Sequence, residues 1–347
     1  MRYHRVALEN LVYTLPDEVV TTAEIERRLA PVYSRLRLPE GRLELMTGIR
    51  ERRFFPPGSP ISEISVQTAE LAIRASGIDR RHFGALVHGS VCRDFLEPAT
   101  ACRVHHYLNL SASCAVYDLS NACLGILTGA LQIANMIELG QIRAGIVVGT
   151  ECGRSLVENT IAQLNADHSL TRATIKNSMA SLTIGSASAA IVLCDKDLSR
   201  TGNKLVAATV QCNTGHHSLC HSEGLSQAMQ TDSEQLMREG VALGTATFER
   251  FLDEAGWTRD QINRTVCHQV GAAHRKLLLE SMRLDPARDF ATLEFLGNTG
   301  SAALPATMAM AVEQGIVKPG DRVAMLGIGS GINCTMLAVE WRAGHST

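Results

Sequence analysis

Short segments of the sequence carry side chains that could together perform acyl transfer. YDLSNACLGILTG, at residues 117–129, places Cys123 where a strand-like run turns into an apolar helix-like run. TVCHQVGAAH supplies His268 at the end of another strand-like run, and LGNTGSAALP supplies Asn298 at a second turn into a helix. Acyl transfer needs a nucleophile, a proton acceptor or donor beside it and hydrogen-bond donors for an oxyanion. These residue types match that chemistry.

The position of Cys123 favours a reactive thiol. Unpaired N–H groups and the dipole at a helix N-terminus favour negative charge, so we expect the thiol to lose its proton more easily there. The small neighbours Ser120, Asn121, Ala122 and Gly125 would let a substrate carbonyl approach closely. The alternative is that Cys123 is one of ten cysteines buried as small apolar groups, which is the usual state of an isolated cysteine.

The surrounding elements follow an α/β rhythm that recurs in both halves. Strand-like runs alternate with helix-like runs, and the predicted strands lie at 85–91, 144–151, 189–195, 265–270, 322–331 and 334–341. The turns that carry Cys123 and Asn298 occupy matching places. We therefore predict two pseudo-symmetric halves, 1–196 and 197–347, with mainly mixed sheets between helix layers and the two turns facing each other near the centre.

Two stretches lack this rhythm. Residues 154–181 and 197–240 are less regular and richer in polar residues. Such stretches usually form caps, entrances or partner surfaces. We expect one of these roles for both stretches.

Composition excludes several classes of protein. The chain has 347 residues, 45% of them apolar, which is enough for one large domain or two halves that share a core. A net charge of −2 with scattered Lys and Arg argues against a nucleic-acid partner. We find no targeting pattern and no apolar run long enough to cross a bilayer, so we expect a cytoplasmic protein without membrane insertion. Ten irregularly spaced cysteines fit a reducing compartment.

The catalytic segments, in this order, resemble the thiolase-fold condensing enzymes of the β-ketoacyl-acyl-carrier-protein synthase III group. The resemblance covers essentially the whole chain, from TLPDEVVTTAEI to AMLGIGSGINC. It implies a layered αβαβα thiolase fold and no cofactor. It also implies that Cys123 takes an acyl group as a thioester, and that His268 and Asn298 hold the carbonyl of the second thioester. The backbone N–H groups of Cys123 and Ser330 would form the oxyanion hole.

One departure from the synthase III pattern concerns the carbon–carbon bond. In SVCRDFLEPATA, Glu97 stands where the fatty acid initiation enzymes commonly carry an apolar aromatic residue. RDFLEP, SNACLG, HQV and GIGSGINC together resemble more closely the condensing enzymes of bacterial long-chain olefin biosynthesis, which join two acyl-CoA molecules head to head. The resemblance implies a homodimer in which Glu97 removes an α-proton in the partner's site. A thioester that expels no carboxylate needs such a base. The alternative is a solvated carboxylate, paired with Arg93 or Arg103.

The resemblance implies an acyltransferase that condenses two long-chain acyl-CoA thioesters, without decarboxylation, to a β-ketoacyl product. Two alternatives stay open. One is a synthase III that uses malonyl thioester on CoA or a carrier protein in fatty acid or secondary metabolite biosynthesis. The other is a silent partner subunit or acyl-binding module, against which the retention of Cys123, His268 and Asn298 argues.

Further motifs could bind phosphate, metal or nucleotide. Guanidinium groups bind phosphate bidentately, so Arg50, Arg52 and Arg53 are candidates for the coenzyme A phosphates, with a solvated charged loop as the alternative. GIGSG near the C-terminus lacks the rest of a dinucleotide-binding motif, so no NAD is expected. A cysteine and histidine cluster matches no standard zinc spacing, so no metal is expected; it comprises Cys212, His216, His217, Cys220 and His221.

Overall fold

The computed structural model describes residues 1–222, 224 and 229–342. Its α-helices are α1 (Thr22–Arg28), α2 (Ala30–Leu36), α3 (Arg42–Thr47), α4 (Ile61–Ser76), α5 (Thr100–Tyr107), α6 (Gly125–Glu138), α7 (Arg154–Ala166), α8 (Ser233–Ala255), α9 (Ala272–Met282), α10 (Leu293–Leu296) and α11 (Ala303–Glu313). Its strands are β1 (Val6–Thr14), β2 (Glu18–Thr21), β3 (Glu51–Phe54), β4 (Phe83–His88), β5 (Ala115–Asp118), β6 (Ala144–Glu151), β7 (Ala187–Asp195), β8 (Lys204–Cys212), β9 (Cys220–His221), β10 (Gln230–Thr231), β11 (Arg264–Cys267), β12 (Arg322–Gly329) and β13 (Asn333–Glu340). Short 3₁₀ helices include Thr174–Thr183, Thr214–Leu219 and Gly300–Ala302.

Nine strands form a sheet in the order β11-β12-β13-β8-β1-β7-β6-β4-β5. The strands β4, β5 and β6 run parallel to one another, as do β11 and β12, whereas the other neighbours are antiparallel. One registered residue pair, Ala7 with Lys204, joins β1 to β8 within the described chain. Strands from before and after residue 196 thus form two sets that meet at this seam. The division into halves at 1–196 and 197–347 stays a prediction.

The layers follow from which strand faces each helix covers. Every residue of β6 and β7 is buried because helices cover both faces, and both strands consist almost wholly of small and aliphatic residues. Successive side chains of β6 alternate accordingly: Val147 packs in the cluster of α6 and α11, and Val148 in the cluster of α4 and α5. The cluster around α6 and α11 also takes in residues of β12 and β13, whose other face packs against α8 and α9. The result is the five-layer α-β-α-β-α order that the resemblance implies.

Residues 154–181 and 197–240 are more regular than their sequence suggested. The first stretch contains α7 and the 3₁₀ helix Thr174–Thr183, and the second contains β8 and the start of α8. In α7, Val157, Ile161 and Leu164 are buried at helical spacing against α1 and α2. Polar residues between these positions dilute the apolar periodicity, which is why the sequence of this stretch looked less regular than its structure is.

No helix of the described residues is both long and apolar enough to cross a bilayer.

Candidate active site

Cys123 lies on a tight elbow between β5 and α6. Ala122, just before it, has a positive φ of 45°, and the N–H of Leu124 donates to the carbonyl of Asn121 at 2.9 Å. The first turn of α6 packs against backbone, because a Cβ added at Gly125 would lie 2.6 Å from the carbonyl oxygen of Gly89. Only a residue without a side chain allows this approach. The elbow is therefore held against the end of β4, and the thiol is half-buried.

The turn after β12 lies against the same elbow. A Cβ added at Gly329 would lie 3.7 Å from the backbone nitrogen of Cys123. The side-chain amide of Asn333 donates to the carbonyl of Ser330 at 3.2 Å and to Oδ1 of Asn121 at 3.4 Å, which ties the turn to the elbow. The backbone segments proposed for the oxyanion hole, at Cys123 and Ser330, are thus adjacent.

The electrostatic surroundings of Cys123 contradict one prediction. Burial raises the pKa of its thiol from 9.0 to about 12, and the electrostatic effects of Glu151 and Cys220 add to the rise. That rise corresponds to about 4 kcal/mol, at about 1.4 kcal/mol per pH unit, whereas a helix end contributes about 0.3–1 kcal/mol. The expectation that the helix N-terminus makes the thiol more acidic is therefore wrong for the free protein, because desolvation outweighs the dipole.

His268 follows β11 and reaches the same end of the sheet. Its backbone N–H donates to the carbonyl of Leu326 in β12, three positions before Gly329. The side chain is 2% exposed, and neither ring nitrogen has a hydrogen-bond partner in the described chain. Burial lowers its pKa to about 3, so the imidazole is neutral at physiological pH. A neutral imidazole with unsatisfied nitrogens can donate one hydrogen bond to a substrate oxygen.

Asn298 lies on the turn between α10 and α11, beside the start of β7. Its backbone N–H donates to the carbonyl of Thr183, and its carbonyl accepts from the N–H of Gly185, both at 2.9 Å. Oδ1 of the side chain accepts from the N–H of Gly300 at 3.0 Å. Because the oxygen is occupied in this way, the NH₂ group is the part of the carboxamide left to donate to a substrate.

Glu151 belongs to the same region, and sequence reasoning missed it. It ends β6, is 6% exposed, and accepts a 2.5 Å hydrogen bond from the hydroxyl of Ser301, three residues after Asn298. The carboxylate raises the pKa of Cys123, and it also lies against the turn that carries Asn298. An acidic residue closing an otherwise uncharged strand, AGIVVGTE, is the signal that could have identified it.

Glu97 lies on an exposed loop after β4. Asp94 anchors the base of this loop by accepting from the N–H of Ser62 at 3.2 Å and by pairing with Arg103 at 3.6 Å. Beyond it, Phe95 and Leu96 are 59% and 86% exposed. Arg103 also pairs with Glu63, so its partners are carboxylates other than Glu97.

The arginines predicted to bind coenzyme A occupy different environments. Arg50 is exposed and pairs with Glu294 at 2.8 Å, whereas Arg53 is half-buried and donates to the carbonyl of Pro16. Arg52 is fully buried and donates to Thr22 and to the carbonyl of Leu182. The phosphate role predicted for Arg52 is therefore wrong, because no phosphate can reach an enclosed guanidinium group. The roles of Arg50 and Arg53 stay predictions.

The cysteine and histidine cluster is spread over several contacts. His216 lies 3.4 Å from Glu239, His221 lies 3.2 Å from the carbonyl of Ser218, and Cys220 accepts from the hydroxyl of Thr231 at 3.4 Å. Within the described residues no group of three or more His, Cys, Asp or Glu side chains is arranged to hold a metal ion. Cys220 instead contributes to the surroundings of Cys123.

Comparison with known proteins finds relatives along nearly the whole chain. Residues 252–341 match the family model for the C-terminal part of 3-oxoacyl-[acyl-carrier-protein] synthase III. The chain is 44% identical to an acyl-CoA:acyl-CoA alkyltransferase of Shewanella oneidensis, over 98% of this chain and 100% of that protein. It is 32% identical to the protein of the same name from Xanthomonas campestris, again over 98% and 100%. A crystal structure of an X. campestris OleA variant superimposes with a TM-score of 0.94 at 32% identity, over 98% of each chain.

Proposed function

The chain belongs to the acyl-CoA:acyl-CoA alkyltransferase (OleA) family of thiolase-fold condensing enzymes, and on that premise we propose that it joins two long-chain acyl-CoA thioesters without decarboxylation. The products are a β-ketoacyl thioester and free coenzyme A. The 44% identity to an acyl-CoA:acyl-CoA alkyltransferase over nearly the whole chain is the observation that carries the proposal. An OleA structure with bound lauric acid and lauroyl-CoA, which superimposes with a TM-score of 0.93, supports a long-chain acyl-CoA as substrate.

The first half-reaction acylates Cys123. Its sulfur attacks the thioester carbonyl, the bond to the coenzyme A sulfur breaks, and the thiol proton leaves with coenzyme A. The developing oxyanion accepts hydrogen bonds from the backbone N–H groups of Cys123 and Ser330. Because the free thiol has a pKa of about 12, proton transfer accompanies the attack and no thiolate accumulates beforehand.

The second half-reaction forms the carbon–carbon bond. Glu97 removes an α-proton from the second acyl-CoA, and the NH₂ of Asn298 and the neutral imidazole of His268 hold the enolate oxygen. The enolate carbon attacks the acyl carbonyl on Cys123 and expels the cysteine thiolate, which recovers a proton. Neutral donors suit this step because they stabilise the negative oxygen without giving up a proton to the α-carbon.

We further propose a homodimer in which Glu97 enters the site of the partner subunit. Phe95 and Leu96, beside it, expose large apolar side chains, as does Tyr107 on α5. Among the described residues, β5 is the edge strand of the nine-stranded sheet, and no further strand lies on its outer side. Exposed apolar side chains beside an open sheet edge are typical of a surface that another chain covers.

The test of the reaction is to supply purified protein with myristoyl-CoA alone. We expect release of coenzyme A together with a β-keto acid or the ketone that it yields. If turnover begins only after malonyl thioester is added, the proposal is contradicted and a synthase III is favoured. A β-ketoacyl-acyl-carrier-protein synthase III of Streptomyces coelicolor is 25% identical to this chain over 96% of its length.

The role of Glu97 is tested by mixing inactive variants. Glu97→Gln should retain acylation of Cys123, seen by intact mass, and lose condensation. Cys123→Ala should lose both. If Glu97 acts across the interface, mixed dimers of the two variants contain one complete site, and random mixing should restore about a quarter of wild-type activity. No recovery after verified subunit exchange would show that Glu97 does not act in trans.

A further inference from the structure

Glu151 is a buried carboxylate that has no assigned role in the proposed reaction. Its Oε1 atom accepts hydrogen bonds from three donors on two separate segments: the N–H of Val91 at 3.3 Å, and the N–H and hydroxyl of Ser301 at 3.3 and 2.5 Å. Burying an ionisable group costs free energy unless hydrogen bonds offset it. The hydrogen bonds to Glu151 therefore offset part of the cost of burying this carboxylate at the C-terminal end of β6.

Each of the joined segments carries a residue that the condensation step uses. Val91 begins the loop that leads through the anchored Asp94 to Glu97. Ser301 follows the turn of Asn298, whose Oδ1 accepts from the N–H of Gly300. Glu151 thus lies between the supports of the base and of the enolate donor.

The contact with the Asn298 turn is close. Gly300 has a positive φ of 55°, and a Cβ added there would lie 3.1 Å from both Cγ and Cδ of Glu151. Since the N–H of Gly300 orients the carboxamide of Asn298, a displacement of this turn would move the NH₂ group that faces the substrate. A shift of about 1 Å in such a group can cost about 100-fold in rate.

We propose that Glu151 is a positioning residue for condensation, which clamps the loop leading to Glu97 and the turn carrying Asn298 onto the strand end beside Cys123. This inference rests on the proposed function. It predicts that loss of the clamp impairs the second half-reaction much more than the first, because acylation uses the Cys123 elbow and the Ser330 turn, whose mutual contacts do not involve Glu151.

The titratable groups facing Glu151 supply an independent readout of its charge. They are the thiols of Cys92 on the loop after β4, Cys123 on the elbow and Cys152 next in the chain. The Glu151 carboxylate raises the pKa of each of these thiols, after burial itself. Replacing the carboxylate by a neutral amide should therefore lower the pH at which Cys123 reacts with iodoacetamide.

Glu9 provides a matched control. It is 2% exposed and accepts from the hydroxyls of Ser199 at 2.6 Å and Thr201 at 3.1 Å, so it is also a buried carboxylate that clamps a loop. Its neighbour Cys194 lies at one end of β7, and Ala187, which pairs with Glu151, lies at the other end of the same strand. The two glutamates are thus separated by about seven residues of strand, roughly 23 Å at about 3.3 Å per residue.

The experiment measures acylation and condensation separately with myristoyl-CoA in Glu151→Ala, Glu151→Gln and Glu9→Ala. For Glu151→Ala we expect condensation to fall about 100-fold while acylation, followed by intact mass, falls by less than about threefold. Glu151→Gln should restore most condensation, because its amide oxygen accepts the same hydrogen bonds, and should shift Cys123 alkylation to lower pH. Glu9→Ala should change neither the ratio of the two steps nor the alkylation profile.

Several outcomes would overturn the inference. One is wild-type condensation in Glu151→Ala, and another is a parallel loss of both steps, as a general structural defect would cause. If Glu151→Ala does not fold, Ser301→Ala removes only the shortest bond of the clamp, and the same selective loss of condensation is expected. Failure of the wild-type protein to condense myristoyl-CoA would instead refute the proposed function itself.

Discussion

The protonation state of Cys123 before substrate binds leads to a sharp prediction about His268. A thiol with a pKa of about 12 and an imidazole with a pKa of about 3 are both neutral near pH 7, so the free protein holds no thiolate and imidazolium there. Replacing His268 by Ala should therefore leave the pH dependence of Cys123 alkylation unchanged. If the two formed an ion pair, the replacement would shift alkylation to higher pH, because the thiolate would lose its counter-charge.

The expected size of the effect follows from the same values. At pH 8 a thiol with a pKa of about 12 is ionised to about 1 part in 10⁴, whereas one at the ordinary value is ionised to about 1 part in 10. The smaller thiolate fraction slows the reaction of Cys123 with iodoacetamide roughly 1,000-fold, and the greater intrinsic nucleophilicity of a thiolate of higher pKa reduces the net slowing, relative to an ordinary thiol of equal access, to about 30- to 60-fold. The rate should still rise tenfold per pH unit between pH 7 and 9.

The assay is timed alkylation at several pH values, quenched and quantified by peptide mass spectrometry. Alkylation of the exposed Cys102 in the same protein serves as an internal control for the activity of the reagent and the timing of the quench. Intact-mass acylation by myristoyl-CoA shows that each preparation is competent. Two results together would show a thiolate and imidazolium pair: a wild-type alkylation rate that levels off below about pH 8, and a shift of that plateau to higher pH in His268→Ala.

Three further predictions concern stability, binding and assembly. Arg52→Ala should lower the free energy of unfolding in urea by about 3 kcal/mol, because it breaks a fully buried hydrogen-bond network. Arg50→Ala should leave the free energy of unfolding within about 0.5 kcal/mol of the wild-type value, and should raise KM for myristoyl-CoA if Arg50 holds phosphate. A stable Arg52→Ala variant with a raised KM would contradict the conclusion that Arg52 does not bind phosphate. His88, His268 and His274 have folded pKa values lowered by burial to about 4, about 3 and about 4, below the unfolded 6.5, so their stabilisation is present above pH 6.5 and lost as the pH falls. The unfolding free energy should therefore drop between about pH 6 and 4, with about 1.4 kcal/mol per pH unit from each of these histidines, and a flat urea-unfolding profile over that window would contradict this. Leu96→Asp should convert a dimer to monomer in analytical ultracentrifugation, and an unchanged dimer would place the interface elsewhere.

Several features of this protein were predictable because they depend on local sequence. The strands β6, β7 and β12 have apolar runs of strand length, and α11 has a matching helical run, so burial leaves few alternatives for them. The small residues around Cys123 predicted an elbow, and the chain forms one there. By contrast, α7 was missed because its buried face is made by a few apolar residues among polar ones. The apolar run of β8, KLVAATVQC, was missed because it opens a stretch that is otherwise polar and irregular.

The surroundings of the site depended on contacts between distant residues. TGIRERR reads as a charged loop, yet Arg52 faces inward from β3 and is enclosed by α1 and the segment before β7. GTE reads as the end of a strand, yet only the folded chain brings Glu151 between Val91 and Ser301. Neither arrangement leaves a local pattern, because the partners lie far apart along the chain.

The sequence by itself determined which groups are available for chemistry: a thiol at a strand-to-helix elbow, an imidazole, a carboxamide and an acidic loop. Residue types and their order along the chain suffice for that inventory. Only the tertiary structure decided their state. Desolvation raises the pKa of Cys123 and keeps His268 neutral, because the free energy of a charge depends on what surrounds it in space, and that is set by every element packed around the site.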